Sequence, residues 1–438
     1  MRRPYEDYAY SDAARAECFW TLPAHDWPRA QGDLTTEVVV IGAGFTGLSA
    51  ALHLAQEGVQ VTVLEEQIPG WGASGRNGGF CCMGGAKASP EKLAKRFGEA
   101  AAREFYNAEK AAIDLVAELL DTHNIDADTH SDGEVLLAHR PRAVDALRAD
   151  ADIYTALGES AQMLSKPQLD ERGMAGPEFH AGLHLKLGFA LNPAKYAHGL
   201  ALAAQMAGAD IRAHSPATKI APQNGGFIVT TPQGRVTAKK LILATNGYSS
   251  DDLPDWLHAR FLPVQSNILV TRPLTEDECA EQGWTSDLMA YDSRHLLHYF
   301  RLLPDGRFLI GTRGNVTATA QGQARMRDTT RADLARMFPA WRDVETPHFW
   351  SGLVCLARNL TPYAGPVGSW DNAWAGLAYH GNGVAMGSWT GARLADMVLG
   401  RKSPPKVHQA PLARFPLGRA RRLLLRGAYH LYRWQDGA

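Results

Sequence analysis

Apolar positions fall along this chain in patterns that predict alternating strands and helices. At Glu37-Val38-Val39-Val40-Ile41 they run without polar alternation, which predicts a short parallel strand covered on both faces. Leu48, Ala51, Leu52 and Ala55 then recur at helical spacing, and Gly58 ends that helix as a C-cap. A second apolar run, Val59 to Leu64, ends at Glu65 and closes a βαβ unit. Residues 91–121 predict one or two surface helices, 131–138 a short strand, 141–170 a return to helix, and 194–208 a helix followed by the strand ADIRAH. Two strands are expected about Pro232-Gln233-Gly234, then a separate buried strand from Lys240 to Ala244. Residues 261–272 and the pair LLHYFRLL and RFLIGTR, joined at Pro304-Asp305-Gly306, predict further strands, and Val384 to Leu399 a helix. The first 36 residues show no period and read as an arm laid over the body, anchored by Trp20 and Trp27.

The βαβ unit carries the first chemistry. Gly42-Ala43-Gly44-Phe45-Thr46-Gly47 is a GxGxxG turn between strand and helix. Gly42 permits the tight turn, Gly44 lets backbone N–H groups approach a pyrophosphate, and Gly47 lets the helix pack close to the strand. The helix N-terminus then favours an anion. Glu65, 18 residues after Gly47, stands at a strand end where it can accept hydrogen bonds from ribose hydroxyls. The stretch from Gly70 to Gly79 holds five glycines in ten residues, too many to pack a core, so its backbone must fold around a ligand.

Composition narrows the class. With 438 residues and 45% hydrophobic content the chain holds two or three packed units. A formal net charge of -1 gives no pull toward nucleic acid. Five cysteines without CxxC spacing argue against a disulfide framework, a zinc site and a redox dithiol, so no metal is expected. No apolar run is long enough for a membrane span and the first 30 residues hold no apolar leader core, so a reducing cytoplasm is the expected location. Residues 401–438 contain nine Lys plus Arg and one Asp, and RARRLLLRGAYHLYRW reads as a basic amphipathic helix. That helix would dock on the body or a second subunit, or lie on an anionic membrane.

On GAGFTGLSAALHLA, GWGASGRNGG, NPAKYAHGLA, LILATNGYS, YFRLLPDGR, WSGLVCLARNLTP and HGNGVAMGSWTGARLAD, the chain resembles the glycine/D-amino-acid oxidase (DAO) superfamily of FAD-dependent oxidoreductases. Within it, the gamma-glutamylputrescine oxidase branch is most similar. The resemblance implies an α/β fold: a Rossmann-like three-layer FAD-binding domain built from residues 37–90, 185–255 and 345–400, and a mixed β-sheet substrate domain from 91–184 and 256–344. The arm 1–36 and the tail 401–438 flank them. It implies that Gly42, Gly44, Phe45, Thr46, Gly47, Glu65 and Glu66 serve the ADP part of FAD, with Ala217 on the adenine and Thr245 nearby. Gly72, Ala73, Ser74, Arg76, Asn77, Gly78 and Gly79 would serve the ribitol and flavin. Gly381, Asn382, Gly383 and Val384 would face the flavin pyrimidine. The family often has His where Asn382 stands and Asp where Asn359 stands, so pocket polarity does not carry over there.

The implied reaction is oxidation of a C–N bond in a small amine or amino acid, by hydride abstraction, to an imine that water hydrolyses. O2 would be the acceptor and H2O2 the product. A polyamine derivative or ω-amino acid is the expected substrate class, with a D-amino acid or N-methylated glycine second. A dehydrogenase passing electrons to a quinone or partner protein, an electron-transferring or regulatory subunit, and a nucleotide-binding protein without redox function stay open. FAD is expected to be held without a covalent bond, although Cys355 lies where some relatives attach flavin. His380 could deprotonate the substrate amine, or sit as a satisfied loop histidine. The period of two in 295–301 puts His295, Leu297, Tyr299 and Arg301 on one face, so Tyr299 could line the pocket and Arg301 or Arg313 could anchor a carboxylate.

Overall fold

The computed structural model describes residues 1–437, built around two eight-stranded sheets. The first has its centre in Gly32–Ile41, paired in parallel with Val61–Leu64 on one side and Gly234–Leu243 on the other. Asp210–Arg212 extends it beyond Val61–Leu64; Ala373–Leu377 and Tyr363–Pro366 extend the other edge. Helices Phe45–Gln56, Pro193–Met206 and Ala385–Val398 cover one face, and the hairpin Lys219–Gln223 and Gly226–Thr231 lies toward the other. The helices are nearly apolar all round and share buried hydroxyl bonds, as where Ser49 Oγ donates to the Ser388 carbonyl at 2.7 Å.

The second sheet runs in the order His348–Leu356, Leu262–Pro273, Arg307–Arg313, His298–Leu302, Met289–Asp292, Glu134–Leu137, Ala181–Leu185 and Ala161–Ser165. Ala320–Met337 covers it beside an aromatic core of Phe179, Trp284, Phe300, Phe308, Phe338 and Trp341. This is the α/β fold with mixed sheets expected from the resemblance.

Four local expectations are corrected. The helix expected over 141–170 stops at Ala156: Gly158, at φ +87°, turns the chain, and Ala161–Ser165 pairs antiparallel with Ala181–Leu185. The turn 232–234 and the strand 240–244 are not separated, because Gly234–Leu243 is one strand. Its exposed half alternates as a hairpin partner of Gly226–Thr231, while its apolar end sits in the sheet centre. The central strand begins at Gly32, inside the expected arm, since backbone pairing with Gly234 extends it through polar residues. His348–Leu356, expected with the first unit, pairs with Leu262–Pro273 in the second sheet.

Trp20 and Trp27 are buried as arm anchors, and the arm clamps the glycine-rich segment. Trp20 Nε1 donates to the Asn77 carbonyl at 2.8 Å, Arg15 to the Trp71 carbonyl at 2.8 Å, and Trp71 Nε1 to Asp12 at 2.7 Å. The tail forms a helix, Arg422–Asp436, docked by Leu425 and Tyr429 on Leu262 and Val264.

Candidate functional site

The turn after Gly32–Ile41 shows why this sequence makes a cradle. Gly42 sits at φ +102°, and a Cβ there would lie 2.9 Å from the Ala244 carbonyl oxygen. At Gly47 a Cβ would collide with the Gly42 carbonyl, so the helix can pack this close only on glycine. Ser74 Oγ accepts the Phe45 N–H at 2.9 Å, tying the second glycine segment to the helix start. Glu65 accepts the Ala43 N–H at 2.8 Å and the Gln67 N–H at 2.9 Å, which fixes its carboxylate beside the turn.

Apart from Gly47, these residues line one wall of a cavity of about 420 Å³. It runs from Gly42, Gly44, Phe45, Thr46, Glu65, Glu66, Ala217 and Thr245 past Gly72, Ala73, Ser74, Arg76, Asn77 and Gly78 to Gly381, Asn382, Gly383 and Val384. Gly47 and Gly79 lie outside the lining. Gly79 is backed against the Leu191 carbonyl, and Gly47 faces its own strand.

Three polar side chains in this wall hold loops. The Arg76 guanidinium, 2% exposed, donates to the carbonyls of Trp71, Gly72 and Ser351 and lies over the Trp71 ring. Asn77 donates to the carbonyls of Ala73 and Ser74 and accepts the Gly79 N–H. Asn382 donates to the Met83 carbonyl at 2.6 Å, closing the late glycine loop onto the segment after Gly79.

The far wall comes from the second sheet: Ser266, Ile268, Tyr291, Leu297, Tyr299 and Arg313, with Glu134, Cys82 and Lys87 beside them. The Tyr299 hydroxyl meets Ser266 Oγ at 3.0 Å. Glu134 is 2% exposed, and its carboxyl meets only the Cys82 thiol; burial pushes it up to about 8. Arg313 and Lys87 form no salt bridge among the described residues; the surrounding protein atoms and the Arg313 charge lower Lys87, whose side chain stays exposed at the cavity. Sequence reasoning missed Glu134 and Lys87. A lone acid at the head of the apolar run Glu134-Val135-Leu136-Leu137 was the available signal.

The structure corrects three catalytic expectations. His380 lines the cavity, but its ring is closed off: Nδ1 donates to the Gly85 carbonyl at 2.8 Å and Nε2 accepts the Ala357 N–H at 3.1 Å. Burial, with Lys87 and Arg313 nearby, pushes it down to about 4, so it is a neutral ring with no free nitrogen. Arg301 is fully buried outside the lining, its guanidinium bound to the carbonyls of Gly78 and Leu191 and to His130. It cannot anchor a carboxylate; of the two arginines considered, Arg313 alone reaches the cavity. His295 precedes the strand His298–Leu302 and binds Asp436 of the tail at 2.8 Å.

A glycine turn feeding a helix, a carboxylate at the second strand end and a cavity roofed by a second sheet define a dinucleotide-dependent oxidoreductase architecture. The sequence profile of the FAD dependent oxidoreductase family, DAO, matches residues 37–397, and the chain belongs to that family. It is 31% identical over 369 residues to "Probable oxidoreductase OrdL" of Haemophilus influenzae, covering 83% of each chain. It is 28% identical to "Gamma-glutamylputrescine oxidoreductase" of Escherichia coli over 84% of each. Glycine oxidase from Geobacillus kaustophilus shares the fold with a TM-score of 0.72 at 20% identity, over 87% of this chain and 99% of that one.

The cofactor is FAD, and the residues present fit it. At Gly44 a Cβ would fill the gap to Ser74 Oγ at 2.8 Å, so only a bare backbone leaves room for a pyrophosphate. Two helices begin at the cavity, at Phe45 and Ala385, presenting N-termini that favour anions. Cys355 lines the cavity too, but burial pushes its thiol up to about 12, far from the thiolate that a covalent flavin link needs.

Proposed function

We propose that this chain is an FAD-dependent oxidase of small amines or amino acids, with a polyamine derivative or ω-amino acid as preferred substrate and O2 as acceptor. The observation that carries it is the polar pattern of the far wall: one buried carboxyl, Glu134, kept largely protonated at neutral pH, and two cations without an ionic partner, Arg313 and Lys87, in the same cavity as the dinucleotide cradle. An uncharged amine and a carboxylate on one substrate complement that set. The similarity to gamma-glutamylputrescine oxidoreductase supports the same class.

In this reading Gly42–Thr46, Glu65, Glu66, Ala217 and Thr245 would hold the ADP part of FAD, and Gly72–Gly78 with Gly381–Val384 would hold the ring end. FAD supplies the two-electron acceptor. The chain's residues bind and orient: Arg313 and Lys87 hold a carboxylate, Tyr291 and Tyr299 wall the pocket against water, and the Glu134 carboxyl hydrogen-bonds the uncharged amine. The amine loses two electrons and two protons to become an imine, O2 takes both to become H2O2, and water hydrolyses the imine. Because an uncharged amine yields its electrons more readily, the rate rises with pH until one ionisation is complete.

Anaerobic stopped-flow mixing of the yellow protein with diamines, ω-amino acids, D-amino acids and N-methylglycine tests the reading. Bleaching by an amine, then recovery of colour and peroxide on admitting air, is expected. Bleaching by a 2-hydroxy acid and by no amine overturns the C–N assignment. Bleaching by an amine with negligible reoxidation by air moves the protein to the dehydrogenases.

A further inference from the structure

The tail helix Arg422–Asp436 presents two different faces. Its inner face is fixed to the body: Leu425 and Tyr429 are buried on Leu262 and Val264, and Asp436 accepts the backbone N–H groups of His295 and Leu296 at 2.9 and 3.0 Å. Arg421, just before the helix, makes a buried bidentate pair with Asp251 at 2.8 and 2.9 Å, and Arg422 pairs with Glu6. The helix is therefore held in place, and its outer face is a surface of the folded protein.

That outer face is unlike the rest of the surface. Seven large apolar side chains are exposed among the described residues; three of them, Leu423, Leu431 and Trp434, fall here, and a fourth, Leu417, lies just before the helix. Trp434 is 77% exposed, unusual for the side chain with the most apolar area to bury. At about 100° per residue, Leu423, Leu431 and Trp434 lie within roughly 80° of one another. Arg426 and Arg433 are exposed along one flank of that stripe, with Arg419 at its start and His430 between. The only acid of the segment, Asp436, is turned inward on His295.

We propose that this face docks the protein on a bilayer surface bearing anionic headgroups. The stripe is too narrow to span a membrane, and no helix in the described residues is long and apolar enough to cross one. An interfacial seat, with Trp434 and the leucines in the headgroup boundary and the arginines on phosphates, satisfies both halves of the face. Charge complementarity selects anionic lipid over a neutral surface. A second copy of the chain would have to cover the arginines with the same basic face, because a two-fold contact pairs a surface with itself.

The test uses the full-length, flavin-loaded protein in sedimentation with vesicles of phosphatidylcholine alone and of phosphatidylcholine with phosphatidylglycerol. Pelleting with the mixed vesicles, weakened by salt, is expected. A Leu431→Ser/Trp434→Ser pair and an Arg426→Gln/Arg433→Gln pair should each lower partitioning about tenfold or more. Flavin content and melting midpoint should stay unchanged, because these side chains are exposed. Failure to pellet with the mixed vesicles overturns the proposal. So does a concentration-dependent dimer in sedimentation velocity that the Leu431→Ser/Trp434→Ser pair abolishes, since the face then belongs to a second copy.

Discussion

The His380 ring donates from Nδ1 to the carbonyl of Gly85, 295 positions earlier in the chain, and so fastens the late glycine loop to the segment that follows the glycine-rich stretch. Its other nitrogen is filled by the Ala357 N–H. His380 also holds φ +54°, an uncommon conformation for a non-glycine residue, which the two ring bonds help to keep. It acts as a strut. Replacing His380 with Ala leaves a buried carbonyl and a buried N–H unpaired, costing about 1–3 kcal/mol. The melting midpoint of His380→Ala should fall accordingly, while the pH profile of anaerobic flavin reduction keeps its ionisation. A profile that loses its ionisation in this variant would restore the histidine as a base.

Glu65 is the acceptor most exposed to test in the dinucleotide cradle. Its carboxylate already takes two backbone N–H groups, so it is aimed before any nucleotide arrives. Glu65→Ala removes acceptors for ribose hydroxyls and releases the turn. A loss of about 1–3 kcal/mol is expected, or roughly 5- to 150-fold weaker FAD binding by titration of the apoprotein. Unchanged affinity would place the ribose elsewhere.

What was legible in the sequence follows from how local each signal is. The strand ending at Ile41, the glycine turn and the helix from Phe45 are written in consecutive residues, so periodicity and spacing reach them. Ala161–Ser165 buries only Leu164 and is a strand because Ala181–Leu185 offers it an edge, a long-range fact that local helix propensity outvotes. The alternation that grouped Tyr299 with Arg301 was right about the strand. It was silent on depth: Tyr299 faces the cavity, whereas Arg301 lies behind Gly78 and Leu191. Glu134 was hidden for the opposite reason, because one acid among apolar neighbours looks like a strand end until the fold turns it toward Cys82.

His298 links the second sheet to the helix Ala320–Met337. Its Nδ1 meets Asp292 at 2.7 Å and its Nε2 meets Asp333 at 3.2 Å, while Arg294 and Arg336 pair with the same carboxylates. Burial opposes the charged ring, but the two aspartates outweigh it and raise His298 to about 9. The folded value lies above the unfolded one of about 6.5, so the stabilisation is full below that pH and disappears as pH rises through 9. The size is on the order of 3 kcal/mol. The stability gap between wild type and His298→Asn in urea should be widest near pH 6 and shrink toward pH 10. A constant gap would remove the charge from the account.

Arg313 separates the substrate classes. It lines the cavity without a hydrogen bond to another described residue, next to Lys87, whose value its charge helps to lower. A substrate carboxylate paired with this guanidinium gains a charge-assisted hydrogen bond, about 1.5–3 kcal/mol. Arg313→Gln should therefore raise KM for a carboxylate-bearing amine about 10- to 150-fold with little change in kcat, the mark of lost ground-state binding. For a diamine without a carboxylate the same change removes a like charge from the pocket, so KM should stay level or fall. Arg301→Gln is the control: because Arg301 braces Gly78 and Leu191 from outside the cavity, it should lower the melting midpoint and flavin retention for every substrate alike. Equal losses on both substrate classes in Arg313→Gln would mean that the arginine shapes the wall and that the carboxylate, if there is one, is read by Lys87.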